Sequence, residues 1–155
     1  MGYKSNISTI TKRITAKIKK LENPTNTLRE IGTTLVDSNR RRIHNESKLL
    51  NGSNIGSGVT VKSKKLGAYT ASYSRKRSKA GKETNKINLN FTGTLQDGLE
   101  TRPKGKTQVV GFFDTRNSEL SEALEDRYGE LWGVTSRDEA IINKIIARDI
   151  KKAIG

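Results

Sequence analysis

Ile7, Ile10, Ile14, Ile18 and Leu21 recur at spacings of three and four, a period that lines one face of a helix, while Lys12, Arg13, Lys17, Lys19 and Lys20 fall largely off it. Asn23-Pro24 interrupts this pattern. Thr27-Leu28-Arg29-Glu30 then reads as a capping box, in which the threonine and glutamate side chains satisfy each other's orphan backbone donors. A second helix is expected to follow, turning Leu28, Ile31, Leu35 and Ile43 inward. One long helix kinked at Pro24 is the alternative, disfavoured because proline fits a first turn better than a helix interior.

Asn51-Gly52-Ser53-Asn54-Ile55-Gly56-Ser57-Gly58 is loop chemistry, tolerant of positive φ and poor in apolar anchors. Val59 to Val61 predicts a short strand. From Lys62 to Lys86 the chain carries Lys62, Lys64, Lys65, Arg75, Lys76, Arg77, Lys79, Lys82 and Lys86 against one acid, Glu83, with almost no aliphatic periodicity. This predicts a long, mobile, basic loop or β-arm.

Ile87, Leu89 and Phe91 alternate with Asn88, Asn90 and Thr92, the signature of a half-buried strand that Gly93 breaks. Thr94 to Leu99 is ambiguous between a helical turn and the next strand. Gln108 to Phe113, reached through Pro103-Lys104-Gly105-Lys106, is β-branched and aromatic between turn residues, and predicts a strand. Helix returns at Ser118, a potential cap, with Leu120, Ala123, Leu124 and Tyr128 on one face and Gly129 and Gly133 loosening the end. Thr135-Ser136-Arg137-Asp138 is a further cap. Ile141, Ile142, Ile145, Ile146, Ile150 and Ile154 behind it form the most apolar stripe in the chain.

Together these elements predict an α+β fold, a small antiparallel twisted sheet packed by N-terminal and C-terminal helices, with a long basic loop or β-arm. The expected organisation is a single domain over 1–155: a helical region at 1–50, a flexible loop and basic arm at 51–86, and sheet plus C-terminal helices at 87–155. A length of 155 residues suits one domain, and 32% hydrophobic residues predicts a modest core.

Charge adds a partner class. The formal net charge of +14 predicts attraction to a polyanion, whether nucleic acid, an acidic protein surface or an anionic membrane. With no cysteine there is no disulfide, no thiolate nucleophile and no cysteine zinc site, in keeping with a reducing cytoplasm. Met1 to Lys20 has no uninterrupted apolar run, so neither signal peptide nor transmembrane span is expected.

Candidate chemistry is sparse. His44, the single histidine, lies in a polar, basic neighbourhood and reads as a solvated or hydrogen-bonded group at a helix end rather than a catalytic one. Gly52, Gly56 and Gly58 lack dinucleotide-loop spacing, and Gly105-Lys106-Thr107 has Glu100 where a P-loop needs its first glycine. Glu122, Asp126 and Glu130 line up at helical spacing, either as a solvated acidic face, as a contact for a basic neighbour, or as a divalent-metal site in an enzyme. Tyr69 and Tyr73 in the basic segment raise base stacking beside phosphate neutralisation. Tyr128, Leu131, Trp132, Ile142 and Ile146 read as core or interface anchors. No catalytic residue, metal ligand or cofactor site is assigned.

Four blocks in order carry a family likeness: Tyr73-Ser74-Arg75-Lys76-Arg77-Ser78-Lys79-Ala80-Gly81, Leu89-Asn90-Phe91-Thr92-Gly93-Thr94-Leu95, Val109-Val110-Gly111-Phe112, and Arg127-Tyr128-Gly129-Glu130-Leu131-Trp132-Gly133-Val134-Thr135. In this order the chain resembles the tail-completion, or neck, proteins of tailed bacteriophages, related to the virion-morphogenesis and minor tail families. That family often has a His-Glu-x-Gly-type segment followed by Arg-Pro-Phe before its last helix. Here Tyr128 to Gly133 stands in that place and the Arg-Pro pair, Arg102-Pro103, lies upstream.

The resemblance implies a non-enzymatic structural subunit that forms a ring of identical subunits beneath the portal and adaptor, joins head to tail, and conducts DNA. Its implied partners are the portal or adaptor and tail proteins, with possible non-specific contact with DNA, and no membrane or cofactor. The implied location is the head-tail junction or tail of a virion, after synthesis in the bacterial host cytoplasm. The alternative is a basic nucleic-acid-binding protein of ribosomal or nucleoid type, using the same arm on phosphates.

Overall fold

A computed structural model describes Leu21 and residues 24–56, 69–90 and 92–154. The first expected helix up to residue 20, the Val59 to Val61 strand, Lys62, Lys64, Lys65 and Phe91 lie outside the described residues. The elements are α1 (Pro24–Arg40), a π-helical turn (Arg41–Asn45), α2 (Ala71–Lys79), α3 (Thr94–Gly98), β1 (Leu99–Lys104), β2 (Thr107–Phe112), α4 (Thr115–Tyr128) and α5 (Ser136–Ile154). The fold is α+β, with helices and a two-stranded antiparallel sheet.

The chain forms two compact units, each assembled from separate stretches. One comprises residues up to Asn39, Glu100–Gly111 and Trp132 onward, and the other Arg40–Leu99 and Phe112–Leu131.

In the first unit, the isoleucine stripe of α5 closes on α1. Ile31, Val134, Ile142, Ile145 and Ile146 are buried together, with Leu21, Leu28, Leu35, Ile141 and Ile150 packed around them. Polar pairs tie both ends of this helix pair: the Thr27 hydroxyl donates to Asp149 Oδ2 at 2.7 Å, and the Ser38 hydroxyl donates to Asp138 Oδ1. Asn39 Nδ2 donates to the Gly133 carbonyl at 2.9 Å while the Gly133 amide donates to Asn39 Oδ1 at 3.0 Å. The expected cap before Asp138 is present. The Asp138 amide donates to Thr135 Oγ1 at 3.1 Å and the Thr135 amide to Asp138 Oδ2 at 2.8 Å, a reciprocal box that opens α5.

The expected cap at Thr27 is not formed. Pro24, whose fixed φ suits a first turn, starts α1 three residues earlier, and so Thr27 lies inside the helix, buried against Asp149. Glu30 instead pairs with Arg148 on the surface, at 2.6 Å. In the hairpin, Gly105 at φ +59° supplies the tight turn and Gln108 Nε2 donates to Thr101 Oγ1 at 2.8 Å. Gly32 of α1 faces Thr101 so closely that a Cβ there would collide with the threonine hydroxyl.

In the second unit, the π-helical turn buries Ile43 fully and ends where Ser47 takes φ +55°. Asn51 and Gly52 close a small loop, with Lys48 and Asn54 bridged across it and Asn51 Oδ1 accepting from the Ser53 amide at 2.9 Å. The Thr94 to Leu99 stretch resolves into a single helical turn followed by the start of β1. α4 begins at Thr115, before the Ser118 cap expected from sequence. Asp114 caps it, accepting from the Asn117 amide at 2.8 Å, and this bond holds the Asp114 carboxyl below its usual pKa. Gly129, at φ +101°, ends the helix.

Candidate docking surface

Tyr69, Tyr73 and Arg77 sit four residues apart, so α2 and the residue that precedes its cap place all three on one face. The two rings meet edge to face with centroids 5.2 Å apart. The Arg77 guanidinium lies 4.6 Å from the Tyr69 centroid and 5.7 Å from that of Tyr73. Arg77 is only 1% exposed. Its Nε donates to the Glu83 carbonyl at 2.6 Å, and Nη2 donates to Asn88 Oδ1 at 3.0 Å and the Asn90 carbonyl at 3.1 Å. Burial of a guanidinium is tolerable because its Nε and Nη2 donors are used and two π faces replace water.

This corrects the expectation of a mobile arm across the described part of the basic segment. Ala71–Lys79 is helix, closed by a left-handed Gly81 at φ +67° with the Lys82 amide donating to the Arg77 carbonyl at 2.9 Å. Arg77 leaves the set of exposed cations and becomes the clamp of the segment. Arg75, Lys76, Lys79, Lys82 and Lys86 remain exposed on that fixed base, and Lys86 Nζ donates to the Asn45 carbonyl at 2.6 Å.

The expected strand at Ile87 to Thr92 is also replaced. Over the described residues 87–90 the backbone bonds side chains in place of a neighbouring strand. His44 Nδ1 donates to the Asn88 carbonyl at 2.7 Å, the Tyr69 hydroxyl accepts from the Asn88 amide at 3.3 Å, and Asn88 Oδ1 accepts from the Asn90 amide at 3.1 Å. Leu89 takes φ +52°, which no continuous strand allows. Alternation alone did not supply a pairing partner.

His44 is buried, and burial lowers its pKa more than the bond to Asn88 raises it. Burial likewise raises the pKa of Tyr69. Arg42, also buried, donates to the Lys48 carbonyl at 3.1 Å and the Leu131 carbonyl at 2.5 Å. Arg40 donates to the carbonyls of Gln96 and Leu99, both at 2.9 Å. The sequence reading missed these arginines as structural groups, because Arg40-Arg41-Arg42 looks like any surface cation run.

Beside the Arg77 clamp opens a cleft of about 470 Å³. Tyr69, Tyr73, Leu89, Leu120, Leu124 and Tyr128 supply its apolar walls. Arg116 and Arg127 belong to the same lining, and the Arg127 guanidinium stands 5.4 Å from the Tyr128 centroid. Among the described residues no aspartate or glutamate lines it. Comparison with family models, with curated proteins and with solved structures finds no match to this chain. The surface is therefore read from its own residues.

The remaining sequence candidates are dispersed. Leu131 is fully buried in the second unit, its amide donating to Glu125 Oε1 at 3.1 Å. Ile142 and Ile146 are core of the first unit, and Trp132 is half-buried there. Tyr128 is half-buried in the cleft wall, while Glu122, Asp126 and Glu130 are exposed. Among the described residues, no three acidic or histidine side chains are placed to share a metal ion, and no helix is long and apolar enough to cross a membrane.

Proposed function

We propose that this chain is a non-catalytic assembly subunit of a tailed-bacteriophage neck or tail-completion ring, joining portal and adaptor to tail while DNA passes through. The observation that carries the assembly part of this reading is the Arg77 clamp. Its buried guanidinium spends its donors on the 83–90 segment, and the exposed cations of α2 and the following turn stand on that fixed base beside an apolar cleft. A fixed array of cations beside an apolar depression suits docking onto an acidic protein surface, where charge steers the encounter and apolar burial holds it.

The phage assignment adds the likeness of the four ordered sequence blocks. They fall on elements that build the fold: α2, the left-handed turn at Gly93 that opens α3, strand β2, and the link from α4 to α5 through the buried Leu131. Polar groups that would otherwise be candidates for chemistry, His44, Arg42 and Arg77, bond backbone carbonyls and so support loops.

Deletion of the gene from a phage genome that carries it tests the proposal. Heads and tails should accumulate unjoined, and infectious particles at normal yield would overturn it. The second reading, nucleic-acid binding, is favoured by one feature: α2 contains no acidic residue to repel phosphates from Arg75, Lys76 and Lys79. Sub-micromolar DNA affinity of the isolated chain, falling steeply with salt and lost in Arg75→Gln/Lys76→Gln/Lys79→Gln, would select that reading over the first.

A further inference from the structure

Among the described residues the exposed large hydrophobic side chains are Tyr73 at 36%, Phe113 at 39%, Leu120 at 43% and Ile154 at 82%. Tyr73 and Leu120 line the cleft of the second unit. The other two are candidate plugs for such a cleft, and charge separates them. Ile154 ends α5 just beyond Lys151 and Lys152, so it would bring cations toward Arg116 and Arg127. Phe113 precedes Asp114, and the first turn of α4 carries one cation, Arg116; further along that helix the exposed Glu119, Glu122 and Asp126 share the face turned away from the cleft-lining Leu120 and Leu124. It would bring more carboxylates than cations, Asp114, Glu119, Glu122 and Asp126 against Arg116, to a lining whose described residues hold arginines and no acid.

We infer that the cleft receives Phe113 of a second copy of this chain, with the acidic outer face of that copy's α4 against Arg116 and Arg127. This contact rests on the assembly reading above and names its partner. Plug and socket are different surfaces of one chain, so two copies can fill each other's clefts reciprocally in a two-fold dimer, or meet head to tail and leave one plug and one socket for a further copy. The apolar insertion supplies the holding energy, and the charge pairs set which way round the copies meet.

Light scattering on the purified full chain after size exclusion tests this. The wild type should associate in a concentration-dependent way, to a dimer or to larger species. Phe113→Asp loses the plug and Leu120→Asp loses the socket; both positions are exposed, and circular dichroism verifies that each variant is folded. Each variant alone should run as a monomer, its self-affinity reduced by about thirtyfold or more. Mixed together they should form a one-to-one dimer and nothing larger, because only one intact plug and one intact socket remain in the mixture.

A wild type that stays monomeric, variants that assemble like wild type, or folded variants that do not pair when mixed would each overturn the contact. A complementary pair, Arg116→Glu/Arg127→Glu mixed with Glu119→Lys/Glu122→Lys, should associate where either variant alone does not. Failure of that rescue also counts against it. The outcome is independent of the phage assignment: unimpaired particles in the deletion experiment would leave this contact standing, and a monomeric protein would leave the virion question to that experiment.

Discussion

The Arg77 guanidinium stacks 4.6 Å from the centre of the Tyr69 ring, and the two side chains grip the same short segment. Arg77 bonds the side chain of Asn88 and the carbonyl of Asn90, while the Tyr69 hydroxyl accepts from the Asn88 amide. The segment from Ile87 to Asn90 owes its non-strand path to this grip and to His44.

Loss of the Arg77 guanidinium leaves the Glu83 and Asn90 carbonyls and Asn88 Oδ1 without that donor. Arg77→Met is expected to cost about 3–5 kcal/mol in urea unfolding, the range for breaking a buried charged network. Arg77→Lys should recover little of it, since an ammonium lacks the planar fork that reaches three acceptors and stacks on a ring. Limited proteolysis should then cut between Lys79 and Asn90 in both variants well before global unfolding.

His44 makes stability depend on mild acid. Burial holds its native pKa below the ordinary value of about 6.5, so below that pH the unfolded chain takes up a proton that the folded chain refuses. Its contribution is complete above pH 6.5 and is lost as pH falls from there toward the lowered native value. Arg40 opposes protonation of the folded imidazole and Asp97 favours it, with burial the largest cause. Chemical denaturation at a series of pH values from 8 downward should show this decline, and His44→Gln should flatten it relative to wild type whatever its effect at neutral pH.

At the start of α5, Asp138 accepts from the Thr135 amide and hydroxyl and from the Ser38 hydroxyl, and is 1% exposed. Asp138→Ala removes a cap and strands these donors, an expected loss of about 2–3 kcal/mol. Thr135→Ala removes the hydroxyl that accepts from the Asp138 amide and should cost about 1 kcal/mol. Thermal melts of the two single variants and the double should be less than additive, because both act on one box.

Gly32 lies inside a helix, where alanine ordinarily stabilises by about 1 kcal/mol. Contact with Thr101 reverses the sign. Gly32→Ala should destabilise by about 1–3 kcal/mol, since the added methyl meets the threonine hydroxyl and also Gln108 Cγ at 3.0 Å. Thr101→Ala in the same chain should recover part of that loss, a coupling that a double-mutant cycle measures.

How legible the molecule was depended on where the determining contacts lie along the chain. The stripe of Ile142, Ile145 and Ile146, the inward Ile31 and Ile43, the Thr135–Asp138 cap, strand β2 and the glycine turns at Gly52 and Gly56 were all readable. The cleft was not. Its walls come from α2, the 87–95 segment and α4, and no local pattern announces that these meet. Helix α2 did leave a trace, the four-residue spacing of Tyr69, Tyr73 and Arg77, but with aromatic rings and an arginine stem where aliphatic residues are sought.

The sequence by itself determined which faces of α1 and α5 are apolar, where the cations concentrate, and where the backbone must turn, because each follows from periodicity or from the conformational range of neighbouring residues. Only the tertiary structure decided that Arg77 belongs to the interior, that residues 87–90 bond side chains in place of a strand, and that Pro24 and Asp114, rather than Thr27 and Ser118, open their helices. The first two turn on hydrogen bonds that no local periodicity marks, Arg77 to Glu83, Asn88 and Asn90 and His44 to Asn88, whereas Asp114 caps through the nearby Asn117. A guanidinium is stable inside only where carbonyls and ring faces have been brought around it, and that arrangement does not exist until the fold does.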